Sequence, residues 1–171
     1  MELVLVRHEA AEDADGHITE AERRLTKEGR EDAKKSAKGL RHLLYNYDKI
    51  CVLSSPLVRA VQTAEYIAKA LKVREVQKVT GIASGLLELL QEELEELDEE
   101  TCVIVVGHEP DMSNWCQRIC NVNLNFRKGA AACIKLQSID PAIMGKLSWF
   151  AESDVLKALG KFSQADLKKF E

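Results

Sequence analysis

At 171 residues, with 46% hydrophobic and 30% charged residues, the chain has the composition of an ordinary globular protein and a length suited to one domain. A net charge of −4 at pH 7 and a pI near 5.7 exclude a broadly basic, nucleic-acid-binding surface, so any anion has to be met by a local cationic pocket. No window approaches the ~18 apolar residues of a membrane span, no basic leader precedes an apolar segment, and the expected compartment is the cytoplasm.

The first apolar run, Leu3-Val4-Leu5-Val6, reads as a strand covered on both faces, and Arg7-His8 follows it directly. Reactive groups of α/β enzymes lie beyond the carboxyl ends of such strands, although a lone Arg-His pair is more often a surface feature. Residues 9–25, with Glu9, Glu12, Asp13, Asp15, Gly16 and His17, read as a surface loop. Thr26 is the expected N-cap of a helix of roughly four to five turns, along which Ala33, Ala37, Leu40 and Leu44 recur.

Residues 50–53 predict a second buried strand. Ser55 is expected to cap the next helix and Pro56 to take its first position, with an apolar stripe of Leu57, Ala60, Ala64, Ile67, Ala68 and Leu71. Arg59 falls in the first turn, beside free amides that favour an anion. Residues 74–79 suggest a short strand and residues 81–85 a loop. From 86 to 100, Leu86, Leu90, Leu94 and Leu97 lie on one side, and the glutamates between them read as a solvated face.

Residues 102–106 form the least ambiguous buried strand, ended by Gly107-His108-Glu109-Pro110, and a helix follows from about Asp111 to Cys120. Residues 129–136 and 145–150 predict a hairpin, linked through Ser138, Asp140 and Pro141. Residues 153–170 resemble an amphipathic terminal helix interrupted near Gly160. The five cysteines read as reduced core residues. Cys116 and Cys120 share a helical spacing but lack His or further Cys partners, so no metal site is expected.

Three segments therefore carry chemistry: Arg7-His8, Ser54-Ser55-Pro56-Leu57-Val58-Arg59 and Gly107-His108. If their strands are parallel neighbours, two arginines and two histidines surround one pocket. Two guanidiniums suit the nonbridging oxygens of a phosphoryl group, and one imidazole is left to attack phosphorus.

At this point the sequence resembles a known family. Arg7-His8, Leu25-Thr26 with Gly29, Ser55-Pro56-Leu57-Val58-Arg59-Ala60 with Gln62-Thr63-Ala64, and Val105-Val106-Gly107-His108 are similar, in this order, to the histidine phosphatase or phosphoglycerate mutase-like superfamily. The short length and the ending through 130–136 and 147–150 most resemble its SixA-type phosphohistidine phosphatases. The resemblance spans about residues 2–150, leaving 151–171 as a helical extension of a single domain. It implies a three-layer α/β/α sandwich with a mostly parallel central sheet and a C-terminal β-hairpin. It also implies His8 as nucleophile, with Arg7, Arg59 and His108 holding the phosphoryl group and no cofactor. Phosphate or sulfate is expected to fit the same site.

Two departures stand out. Glu9 occupies the position where the family usually has Gly. The region after the third strand, where larger members keep an acidic proton donor, has no Asp or Glu between 80 and 85, leaving Glu9, Glu12 and Glu88 as candidates. A donor-poor site fits an imidazole leaving group, with conjugate-acid pKa ~6.5, better than an alcohol. The expected activity is hydrolysis of phosphohistidine on a protein partner such as a histidine phosphotransfer or carrier protein. The alternatives are a small-molecule phosphomonoesterase or mutase-like enzyme, and a noncatalytic phosphate-binding module.

Overall fold

Continuous apolar runs bounded by polar loops generate the sheet, and amphipathic segments between them supply its covering helices. The structure, a computed structural model, describes residues 1–14, 16–163 and 166. Its elements run β1 (Glu2–Arg7), α1 (Lys27–Leu43), β2 (Ile50–Ser54), α2 (Val58–Leu71), β3 (Gln77–Lys78) and α3 (Thr80–Ser84) in the first half. The second half adds α4 (Leu87–Glu95), β4 (Cys102–Gly107), α5 (Asp111–Cys120), β5 (Ala131–Ser138), β6 (Met144–Ala151) and α6 (Ser153–Leu159).

The six strands form one sheet in the order β3-β2-β4-β1-β5-β6. Pairing is parallel from β3 to β1, while β5 is antiparallel to both β1 and β6. Strand alternation sends Leu3, Leu5, Val103 and Val105 into a core shared with α3, α4 and α5. It sends Val4, Val6, Ile104 and Val106 into a second core shared with α1, α2 and α6. The result is the expected three-layer α/β/α sandwich with a mostly parallel sheet and a C-terminal β5–β6 hairpin.

Register places the chemistry. Arg7 pairs with Gly107 across β1 and β4, and Ser54 pairs with Val106 across β2 and β4. Three strands from distant parts of the chain thus end along one line, and the residues that follow them are neighbours.

Several local expectations are corrected. The second helix starts at Val58 after Leu57, without a side-chain cap, because the Ser55 hydroxyl is engaged by His108 and by the Leu57 amide instead. Residues 81–85, expected as a loop, lie mostly in the short helix α3, where Ile82 is fully buried and anchors the turn. Leu87, not Leu86, joins Leu90 and Leu94 in the core. The helix begins one residue later than the periodicity suggested, and Leu86 is left half exposed.

Thr26 does cap α1, accepting from the Gly29 amide at 2.9 Å. The terminal helix breaks before Gly160. Asp15 and most of the expected continuation from 164 to 170 lie outside the described residues.

Candidate active site

The backbone that leaves β1 shapes the first part of the site. The His8 amide donates to the Gly107 carbonyl at 3.1 Å, continuing the β1–β4 pairing one step past the strand. The His8 ring then donates from Nδ1 to the carbonyl of Glu9 at 2.7 Å. A carbonyl only accepts, so the ring proton sits on Nδ1. Nε2 carries the lone pair, and it accepts from Arg59 Nε at 3.2 Å.

The neutral state of this ring has a physical basis. Burial lowers the His8 pKa to about 3, and repulsion from His108 when that ring is protonated and from Arg59 and Arg7 adds to that, against the raising effect of the Glu9 carbonyl. His108 falls to about 4, first through burial and then through Arg59 and Arg7. The two rings lie 5.1 Å apart between centroids, tilted by 59°.

Arg59 is held on three sides. Its Nε faces His8, its Nη1 donates to the Glu20 carbonyl at 2.6 Å, and its Nη2 lies 3.5 Å from the Glu20 carboxylate. Thr63, one turn along α2, donates to the Arg59 carbonyl and accepts from the Glu9 amide. Arg7 donates from Nη1 to the Phe126 carbonyl at 2.7 Å. His108 Nε2 lies 2.7 Å from Ser55 Oγ.

Arg7 Nε and His108 Nδ1 are buried and have no hydrogen-bond partner among the described residues. Each unsatisfied buried group costs roughly 1–3 kcal/mol, and a phosphoryl group, with several acceptor oxygens, matches a guanidinium better than any neutral ligand. Two guanidiniums around a neutral imidazole lone pair can bind an oxyanion of phosphorus and present a nucleophile to it.

The sequence model of the histidine phosphatase superfamily (branch 1) matches residues 3–112, which contain all four of these side chains. The chain belongs to the histidine phosphatase superfamily. Membership implies a phosphatase-type hydrolase. This histidine phosphatase is 34% identical over 145 residues to an uncharacterized protein of Picosynechococcus sp. (strain PCC 7002), covering 81% of this chain and 86% of that one.

Its fold is similar to that of the protein histidine phosphatase SixA complexed with tungstate, with a TM-score of 0.76, 23% identity, and 91% and 99% of the two chains covered. It is also similar to a putative phosphohistidine phosphatase SixA from Agrobacterium tumefaciens, with a TM-score of 0.72, 21% identity and coverages of 88% and 96%. A mycobacterial glucosyl-3-phosphoglycerate phosphatase in complex with inorganic phosphate matches with a TM-score of 0.68 and 16% identity, covering 89% of this chain and 98% of that one.

The three acidic candidates of this phosphatase are not gathered at His8. Glu9 is almost fully buried, and its carboxylate accepts from the hydroxyls of Ser36 on α1 and Ser153 on α6. Gly129, at φ +74°, lies so close that any Cβ there would overlap this carboxylate. Burial raises the Glu9 pKa, and the two serine hydroxyls oppose that rise. Glu88 is exposed and paired with Arg118 at 2.6 Å. Glu12 is exposed in the loop, where its carbonyl accepts from Arg23.

Two contacts of the site are not legible in sequence: Ser55, which belongs to a chemistry-bearing segment but is expected there only as a helix cap, meets His108, and Glu20, an unremarked member of a polar loop, meets Arg59. No periodicity marks either role, because both depend on contacts across the fold. Nor do the described residues gather three or more His, Cys, Asp or Glu side chains in a group that could hold a metal ion.

The buried histidines tie stability to pH. Between their folded values of about 3 and 4 and the ordinary 6.5, the unfolded chain binds more protons than the folded one. Their contribution is therefore intact above the unfolded pKa and lost as pH falls below it. The urea midpoint is expected to drop between pH 7 and pH 5, and a His8→Asn/His108→Asn double variant is expected to show a shallower drop. An equal drop in both proteins contradicts this account.

Proposed function

We propose that this histidine phosphatase hydrolyses phosphohistidine on a protein partner, through a covalent phosphohistidine formed on its own His8. The observation that carries this reading is the His8 ring, held neutral with its proton committed to the Glu9 carbonyl and its Nε2 lone pair beside the Arg59 guanidinium. In the first step Nε2 attacks phosphorus, the substrate P–N bond breaks, and the leaving imidazole takes the electron pair. Arg7, Arg59 and His108 meet the nonbridging oxygens and stabilise the charge spread over them. Water then attacks the phosphoryl group on His8, the P–Nε2 bond breaks with its electron pair returned to Nε2, and phosphate leaves with the water's proton passing to it or to solvent. These steps draw only on side chains of the chain and on water.

The carboxylates bear on the leaving group. Among the described residues, Glu9 is turned between α1 and α6, Glu88 is paired with Arg118, and hydrogen bonding from Arg23 keeps Glu20 ionised. None is placed as a protonated acid beside His8. An imidazole that already carries a proton departs without such help, whereas an alkoxide needs it. The likeness in fold to SixA is in keeping with a protein-borne substrate. The unit proposed to act runs from β1 through α6, since α6 supplies Ser153 to Glu9.

The test compares kcat/KM for a phosphohistidine-bearing protein with that for sugar phosphates and an aryl phosphate. The phosphohistidine substrate is expected to be preferred. A clear preference for a sugar phosphate overturns the substrate assignment while leaving the His8 intermediate open to separate trapping.

A further inference from the structure

Glu20 stands at the outer edge of the guanidinium whose inner edge faces the nucleophile. Arg59 offers Nε to His8 Nε2 on one side and Nη1 and Nη2 to Glu20 on the other. The two ends differ in solvent exposure: His8 is buried, whereas the Glu20 side chain is 65% exposed. A leaving group expelled in line departs away from Nε2 and, because His8 is buried, has to reach solvent, where the Glu20 carboxylate is exposed.

The residue is built in place rather than hanging free. The Val58 amide at the start of α2 donates to the Ala21 carbonyl at 3.1 Å, tying the loop to the helix that carries Arg59. Thr19 donates its amide and hydroxyl to the Glu22 carboxylate, closing the turn around residue 20. Arg23 grips both carboxylate oxygens of Glu20 at 2.9 Å. The lateral cations fix the carboxylate while its exposure leaves it free to accept a further hydrogen bond.

No other carboxylate enters the electrostatic surroundings described for Arg59 and His108. Its hydrogen bond from Arg23 holds the Glu20 pKa below the ordinary carboxylate value, so it does not serve as a proton donor at neutral pH. A fixed, exposed negative charge beside the Arg59 guanidinium has a different use. It repels a substrate with a second anionic group near phosphorus and attracts one with a positive group there.

We infer that Glu20 is a specificity-determining residue that accepts a hydrogen bond from the distal ring N–H of a protonated phosphohistidine, selecting a substrate whose phosphorylated group is cationic over one whose group is neutral or anionic. This rests on the phosphohistidine reading above and adds to it the residue that discriminates. In the transfer step the Nε2 lone pair forms the new P–N bond and the old P–N bond breaks towards the leaving ring. The distal proton stays on that ring, which departs as neutral imidazole. Glu20 thus acts by favouring the protonated substrate, the form whose departure needs no added acid.

The experiment measures kcat/KM for a phosphohistidine peptide and for p-nitrophenyl phosphate, in wild type and Glu20→Gln. The variant keeps the residue-20 carbonyl for Arg59 and a polar side chain for Arg23. The ratio of the two constants, phosphohistidine over aryl phosphate, is expected to fall about 10-fold, the size of one charge-assisted hydrogen bond at a partly exposed site, because the larger loss falls on the phosphohistidine peptide. Equal loss on both substrates means that Glu20 only braces Arg59 and overturns the inference, as does an unchanged ratio. Absence of wild-type turnover on phosphohistidine, with turnover of the aryl phosphate, overturns the substrate reading itself.

Discussion

His8→Ala is expected to lower kcat by on the order of 10³-fold or more, and to abolish acid-labile phosphate trapped on the protein. Among the described residues of the site, the substitution removes the one imidazole nitrogen that is tautomerically committed as a lone pair: Nδ1 donates to a carbonyl, and Nε2 faces a guanidinium donor. Water cannot substitute for it easily, because an attacking water must lose a proton and the carboxylate beside Arg59, that of Glu20, is held below its ordinary pKa by Arg23 and is a weak base. His108 cannot replace it either, since its Nε2 is already within 2.7 Å of Ser55 Oγ. Rapid acid quench after mixing with labelled phosphoramidate measures the intermediate directly. Undiminished turnover in the variant would sink the mechanism. Loss of turnover with labelled phosphate still trapped would move the nucleophile to another residue.

Arg59→Lys is expected to cost nearly as much as Arg59→Ala, about 10² to 10³-fold in kcat/KM, the usual loss when one fixed donor to a developing oxyanion is removed. An ammonium keeps the charge, but it cannot reach His8 Nε2, the Glu20 carbonyl and the Glu20 carboxylate with one planar group. The substitution has a second signature. Arg59 is one of the cations that depress the His8 pKa, so Arg59→Ala is expected to raise it, and the shift can be read by NMR titration of the imidazole. Lysine restoring most of the activity would show that charge alone, without the fork geometry, is enough.

The parts of the site legible in sequence are those fixed by strand ends. Arg7, His8 and His108 each follow a continuous apolar run, and such runs have few alternatives to a buried parallel strand. Arg59 was legible because a helix start after a strand is marked by local residue types, although the helix itself begins later than Ser55 and Pro56 implied. In that case tertiary contact overrode local preference: the Ser55 hydroxyl that would cap a helix is within hydrogen-bond reach of His108. Leu86 and Leu87 illustrate the same limit at smaller scale, since adjacent leucines offer two stripes and only packing against Leu90 and Leu94 selects one.

Glu9 and Glu20 were the least legible, for opposite reasons. Glu9 follows His8 in a loop, where a carboxylate reads as solvent-facing, yet serines from α1 and α6, elements far apart in sequence, enclose it. Glu20 lies in a polar stretch with several other acids. What distinguishes it is the loop's attachment to Val58, a contact with no trace in hydrophobic periodicity. Sequence spacing reports elements well, whereas the aim of a loop side chain is decided by what the rest of the chain brings against it.

The hydrogen bond that sets the His8 tautomer comes from the peptide group of residue 9 rather than from its side chain. Every amino acid carries that carbonyl, so no substitution at this position removes the acceptor itself. What a substitution can disturb is the packing of the side chain against Gly129, Ser36 and Ser153. Heredity thus has no direct handle on the proton of the His8 ring. It acts there only through shape, which makes position 9 a place where folding can drift while the chemistry stays written in the main chain.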